Sequence, residues 1–334
     1  MKNPVSIGER VIFSFKGITL PQYMAKWLTG GLCGGIIFFR DNFESPNQFR
    51  SLVSQIFAAA KIAPPLLMID HEGGRVQRIT GSLLPLPSAR SLAGRARNDP
   101  DFIFNLGVRV GKSLRRLGLN VNAAPVLDVL TEPLNRVIGD RSYGNSSRDV
   151  SRLGIGFARG LIEGRICPVV KHFPGHGMTR EDSHETLPFV EVSPDEIMSV
   201  HAAPFVDAAK EGLPAVMTAH VLYRELDKDL PATLSKTIVK DILRTRIGFA
   251  GAVISDDLAM KAISSRFSSD EIACLTAESS TDILIHCGEK DDQEELLGSL
   301  TSFYQQKDFE RSGLKDIHQR TAWFRKYVSR LSSV

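Results

Sequence analysis

The chain alternates between short apolar runs and longer stretches in which apolar residues recur every three or four positions. Eight runs stand out: 11–15, 35–39, 66–69, 119–124, 166–170, 215–219, 252–255 and 282–285. They are short, rich in branched residues and apolar on both parities, the pattern of strands covered on both faces. Between them lie helical patterns. Ile103, Leu106, Val110, Leu114 and Leu117 form one stripe, and Val150, Leu153, Phe157 and Leu161 another. Gln22 to Thr29 suits a short helix. Ser193-Pro194-Asp195-Glu196 has the residues of a helix start, and Ser235 marks a second. A closing helix is expected in the tail from Gln305, around Ile317, Ala322 and Phe324. Strand and helix patterns alternate about eight times without a linker. The pattern predicts an α/β protein, a single (β/α)8 TIM-type barrel domain over residues 1–334. A doubly wound open sheet is the competing architecture. It would usually carry a G-x-G-x-x-G loop after an early strand, and the sequence has none there.

Polar residues stand where several runs end. Asp70, Lys171, His172, His220 and Asp256 all fall at the C-terminal ends of expected strands. In a barrel these ends converge on one mouth, so the coincidence favours a shared site over scattered surface ion pairs. The densest stretch is Lys171-His172-Phe173-Pro174-Gly175-His176-Gly177, where Pro174, Gly175 and Gly177 turn the chain into a loop. Asp182-Ser183-His184 follows. A carboxylate beside an imidazole fixes the ring's tautomer and raises its basicity, which suits acid–base work near neutrality. Taken alone, the same two residues would be ordinary loop polarity.

Asp256 and Asp257 are adjacent acids, and side chains alternate along a strand. Asp256 shares the parity of Ile254, so Asp256 is expected to face the mouth and Asp257 to cap the next helix or face the helical layer. Asp70-His71-Glu72-Gly73-Gly74-Arg75-Val76-Gln77-Arg78 combines a tight turn with groups suited to a sugar ring. Asp70 can accept from vicinal hydroxyls, and Arg78 can donate in a planar fork. Arg141 lies in a further loop, Val137-Ile138-Gly139-Asp140-Arg141-Ser142. The spacing of His172, His176, His184 and Asp182 matches no helical H-E-x-x-H and no cysteine–histidine zinc pattern, so no metal is expected.

Composition narrows the class. The chain is 43% hydrophobic and 24% charged with a net charge of +3 and no dense basic stripe, so nucleic acid is not an implied partner. Cys33, Cys167, Cys274 and Cys287 lie far apart and read as reduced thiols. No apolar run approaches the roughly 20 residues of a membrane span. Glu9 and Arg10 fall where a signal peptide needs its apolar core. A cytoplasmic protein with no membrane partner is the expectation, and a monomer.

The ordered set D-H-E-G-G-R-V-Q-R, V-I-G-D-R-S, K-H-F-P-G-H-G, D-S-H and I-S-D-D-L-A-M, running from Asp70 to Met260, resembles glycoside hydrolase family 3, in its β-N-acetylhexosaminidase branch. The resemblance implies Asp256 as nucleophile and His184 as acid/base assisted by Asp182. It implies Asp70, Arg78, Arg141, Lys171 and His172 as the residues holding an N-acetylglucosamine unit. It further implies a retaining exo-hydrolase without a cofactor, acting on GlcNAc-β-1,4-(1,6-anhydro)MurNAc muropeptides in cell-wall recycling. In the β-glucosidase branches a glutamate from a following domain is the usual acid/base; with the eighth expected strand near 282–285 and the last residue at Val334, the expectation is the D-S-H loop and not such a domain. A histidine base carries no negative charge, which leaves phosphate as an alternative acceptor to water. A β-glucosidase of the same family and a sugar-binding protein on an inactive barrel are the other readings.

Overall fold

The computed structural model describes residues 7–79, 85–96, 99, 101–180, 187–306 and 313–333. Nine parallel segments make one sheet: β1 (Val11–Phe13), β2 (Gly35–Phe38), β3 (Leu66–Ile69), β4 (Val121–Asn122), β5 (Cys167–Pro168), β6 (Val170–Phe173), β7 (Ala215–Thr218), β8 (Ala252–Asp257) and β9 (Ile283–His286). Their order is β5-β4-β3-β2-β1-β9-β8-β7-β6. Only Val169 separates β5 from β6, so they are two halves of one passage of the chain. β5 pairs with β4 and β6 with β7, and the sheet thereby closes on itself. This is the expected (β/α)8 barrel.

The barrel interior is filled from one parity of each strand. Ile12, Ile37, Met68, Val121, Val169, Met217, Ile254 and Ile285 form one buried cluster, while their sequence neighbours Phe13, Phe38, Leu67 and Val253 pack outward under the helices. The helix Leu314–Ser332 adds Phe324 and Val328 to the interior cluster. It enters from the N-terminal end: Arg325 donates to the carbonyls of Glu9, Gly34 and Pro64, all just ahead of β1, β2 and β3. The expected closing helix is therefore the floor of the barrel.

The expected helices are present, with refinements. The stripes from Ile103 and Val150 lie in the helices Phe102–Arg116 and Ser147–Glu163. Ser193 caps its helix by accepting from the amide of Glu196, and Ser235 accepts from the amide of Ile238 ahead of the helical segment Thr237–Arg246. Strand ends differ from the apolar runs. The first and fourth are shorter, while β6 runs on through Lys171 and His172, and β8 runs through Asp256 and Asp257. Hydrogen bonding to neighbouring strands fixes these limits, and polarity does not break it.

Candidate active site

The polar groups at the mouth are assembled from the ends of five strands, β3, β4, β6, β7 and β8. After β3 the chain makes a short antiparallel pair, His71–Gly73 with Val76–Gln77. Gly73 (φ 110°) and Gly74 (φ 58°) make the turn, and a Cβ on Gly73 would stand 2.4 Å from the carbonyl oxygen of Pro87. Asn122 in β4 grips this pair at both main-chain groups of His71, each at 3.0 Å. The turn returns Arg78 to within 3.7 Å of Asp70, with its guanidinium over the ring of Phe39.

Lys171 rises from β6 into this acidic patch. Its Nζ lies 2.6 Å from Asp70 Oδ1 and 2.6 Å from Glu72 Oε1. Glu72 accepts a two-pronged contact from Arg141, Nε at 2.8 Å and Nη2 at 2.9 Å. Burial alone pushes the Glu72 carboxyl up, but Arg141 and then Lys171 outweigh it and hold it well below the usual range. Burial likewise disfavours the Lys171 ammonium, and Asp70 and Glu72 reverse that, so its pKa is raised. Both cations stay charged, fixed in direction and with N–H groups to spare.

His172 is the next residue, joined to Lys171 by a cis peptide bond. Its Nδ1 lies 2.7 Å from Asp128 Oδ2, and its amide donates to Asp128 Oδ1 at 3.2 Å. Asp128 Oδ1 also accepts the His176 amide at 2.7 Å. With a buried carboxylate on Nδ1, that nitrogen carries the proton, and Nε2 faces Arg141 Nη2 at 3.5 Å. Burial pushes the Asp128 carboxyl up, but His172 and His176 bring it down overall. His176 itself is held near neutral charge, its pKa lowered to about 4 by burial and then by His172, and its Nδ1 meets Thr179 Oγ1 at 2.8 Å.

Asp256 reaches the mouth from the end of β8, as expected. Burial works against its charge. His220, His172, the Asp257 amide and Lys171 work for it and win, so its carboxyl is lowered. His220 is fixed in turn, Nδ1 against Thr233 Oγ1 at 2.8 Å and Nε2 donating to the Asp257 carbonyl at 2.9 Å. Asp257 does not cap the next helix. That helix, Lys261–Ser264, follows Met260, and Asp257 Oδ1 instead accepts from the amides of Ala259 and Cys287. The expectation that it faces the helical layer also fails, because Asp257 lines a cavity of about 660 Å³ at the mouth, beside Arg78 and Phe39.

The structure thus places Asp70, Arg78, Arg141, Lys171, His172 and Asp256 at one end of the barrel, with direct contacts or electrostatic coupling linking them. Asp182 and His184 lie outside the described residues. Two members of the cluster were not singled out from sequence. Glu72 sits inside a quoted motif with no role given. Asp128 follows the fourth apolar run, as Asp70 follows the third, and that parallel was the available sign.

Fold and cluster together define a barrel with a dense set of charged and hydrogen-bonding groups at the C-terminal ends of its strands, where barrel enzymes carry their active sites. Residues 11–319 match the glycosyl hydrolase family 3 N terminal domain. The chain is similar to the β-hexosaminidase of Methylobacillus flagellatus, 33% identical over 295 residues, 87% of this chain and 83% of the relative. It is 35% identical to that of Bordetella bronchiseptica over 304 residues, 89% and 85% of the two chains. Among solved structures, a family 3 β-N-acetylglucosaminidase from Paenibacillus sp. str. FPU-7 superposes with a TM-score of 0.91 at 32% identity, over 100% of this chain. This chain spans only 63% of that longer one. NagZ from Neisseria gonorrhoeae, in complex with N-trifluoroacetyl-D-glucosamine, superposes with a TM-score of 0.79 at 31% identity, over 97% of this chain and 98% of that one. The chain belongs to glycoside hydrolase family 3. It is a glycosidase of the β-N-acetylhexosaminidase type.

Proposed function

We propose that the protein is a retaining exo-β-N-acetylglucosaminidase that releases terminal N-acetylglucosamine from GlcNAc-β-1,4-(1,6-anhydro)MurNAc muropeptides, in cell-wall recycling in the cytoplasm. The observation that carries the reading is Asp256, an acid at the end of an inward-facing strand, kept ionised by His220, His172 and Lys171. The Neisseria neighbour's N-acetylglucosamine-like ligand supports the choice of sugar.

In this scheme Asp70, Arg78, Arg141, Lys171 and His172 hold the sugar's hydroxyls. Glu72 and Asp128 hold three of those five in place. An Asp256 oxygen attacks the anomeric carbon, the glycosidic C–O bond breaks, and His184, oriented by Asp182, gives its proton to the leaving oxygen. The product is a glycosyl ester on Asp256. His184 then takes a proton from water, which attacks the same carbon and frees Asp256, with net retention. The scheme calls on no metal or cofactor and on one copy of the chain.

The test compares an aryl N-acetyl-β-glucosaminide with the matching β-glucoside, with phosphate absent and then present. The reading expects strong preference for the N-acetyl substrate without phosphate. A preference for the glucoside would make the protein a β-glucosidase, and a phosphate requirement would make it a phosphorylase. Asp256→Ala is expected to lower kcat by roughly a thousandfold or more, about 4 kcal/mol of barrel-mouth chemistry, while the variant stays folded. Unchanged turnover in that variant would remove Asp256 from the reaction.

A further inference from the structure

We propose that the two residues flanking Asp256, Ser255 and Asp257, are positioning residues that hold a β-bulge and thereby aim the Asp256 carboxylate into the mouth. The proposal rests on the reading of Asp256 as nucleophile.

The register between β8 and β9 carries the argument. Ile254 stands opposite Ile283, and Asp257 stands opposite Ile285. Three steps along β8 therefore face two along β9, so β8 holds one extra residue at Ser255–Asp256. A bulge turns its strand and redirects the side chain it carries, and it interrupts the ladder of main-chain hydrogen bonds. Orphaned amides in a buried sheet must find other acceptors. Here they find the two side chains beside Asp256. The Ile285 amide donates to Ser255 Oγ at 2.9 Å, and the Cys287 amide donates to Asp257 Oδ1 at 2.8 Å. The same Asp257 oxygen accepts the Ala259 amide at 2.9 Å, which closes the turn after the bulge.

The bulge so held has two outputs toward the site, both through the main chain of Asp257. Its amide donates to Asp256 Oδ1 at 2.8 Å. Its carbonyl accepts from His220 Nε2 at 2.9 Å, and His220 is the strongest of the charges that keep Asp256 ionised. Freeing the Asp257 side chain releases the Cys287 and Ala259 amides, and the peptide that touches both Asp256 and His220 loses its anchor. The adjacent acids thus divide the work. One reacts and the other holds the strand end, with the serine holding the near side. An asparagine at 257 retains an oxygen that can accept the same two amides; an alanine does not.

The experiment uses the full-length protein with an aryl N-acetyl-β-glucosaminide and a 5-fluoro-N-acetylglucosaminyl fluoride, which traps glycosyl-enzyme for peptide mapping and counts active sites. Asp257→Ala is expected to lower kcat per titrated site roughly 10- to 100-fold, the scale of a misplaced reacting group, with KM and inhibition by N-acetylglucosamine within about threefold. Asp257→Asn is expected to recover most of that loss, and Ser255→Ala to show a smaller fall of the same kind. Every variant should be labelled on Asp256, only more slowly. Asp257→Asn as impaired as Asp257→Ala would mean that the carboxylate itself meets the substrate, and the positioning role would be wrong. A lowered Tm with unchanged kcat per site would reduce both residues to stability alone and equally overturn it. Label on Asp257 would reverse the two roles. No turnover and no label in the wild-type protein would instead sink the reading of the site on which the proposal stands.

Discussion

Glu72 holds one negative charge between two cations that are themselves needed at the mouth. Lys171 is shared between Asp70 and Glu72, and Arg141 is committed to Glu72 by both prongs. Removing one member of such a buried set leaves its partners charged and poorly compensated, at a cost of about 3–5 kcal/mol. Glu72→Gln is therefore expected to lower unfolding free energy by about that much in urea titrations at pH 7, and to weaken sugar binding by letting Lys171 and Arg141 turn. The pH dependence has a definite sign. The folded carboxyl is depressed, so its stabilisation is complete above the unfolded value of about 4.3 and drains as pH falls through the lower folded value. Wild type should lose stability across that acidic window, and the Gln variant should show a flatter curve there. Equal slopes would mean that the ion set contributes no linkage. At this scale the sequence was partly legible. Alternation pointed Asp256 at the mouth but also assigned Asp257 to the helical layer, and the bulge at Ser255–Asp256 breaks that alternation and brings Asp257 to the mouth as well. Glu72 and Asp128 were missed because their importance comes from partners 69 and 44 residues away, Arg141 and His172.

Elements bring those partners together, and two helices show how tightly. Phe102–Arg116 and Ser147–Glu163 meet through glycines. A Cβ on Gly160 would stand 2.2 Å from the carbonyl oxygen of Phe104 and 2.9 Å from Gly107 Cα, and Gly164 meets Gly111 in the same way. Glycine weakens a helix by about 1 kcal/mol against alanine, so these positions trade propensity for backbone contact. Gly160→Ala is expected to destabilise the fold by about 1–3 kcal/mol through overpacking. Gly156, in the same helix, has Ile103 Cγ2 at 3.9 Å as its nearest new neighbour, and Gly156→Ala should stabilise by up to about 1 kcal/mol. Chemical denaturation of the two variants side by side checks both signs, and a gain from both would show that the helices can separate freely. The apolar stripes of these helices were readable, since period reports the buried face. The glycine seam was not, because in sequence a glycine that packs and a glycine that merely loosens a helix look alike. The bulge in β8 escaped notice for the same reason: it exists only relative to β9.

At the scale of the whole molecule, the barrel is a stack of side-chain layers with chemistry at one end and a lid of structure at the other. The helix Leu314–Ser332 closes the N-terminal end, with Phe324 wholly buried among the interior residues and Arg325 satisfying three carbonyls that precede strands. Asp256, Lys171 and His172 lie at the opposite ends of their strands. Between the two ends lie residues such as Met68, Val169 and Ile254, close-packed like an organic solid. Such packing can carry a strain, so floor and mouth are not independent by default. Truncating Phe324 puts the question directly. Phe324→Ala should cost about 3–5 kcal/mol, the lost transfer energy plus the cavity it leaves, read as a lower denaturation midpoint with an unchanged slope. The site's own geometry is fixed by contacts made at the mouth: Glu72 with Lys171 and Arg141, Asp128 with His172, and Asp257 with the Cys287 amide. None of these involves the closing helix. At 25 °C and well below the midpoint, kcat and KM on an aryl N-acetyl-β-glucosaminide should therefore match wild type. A fall in kcat at full foldedness would mean that the floor helps set the spacing of strand ends at the mouth, and that the reacting groups are positioned by the barrel as a whole and not by their local clamps.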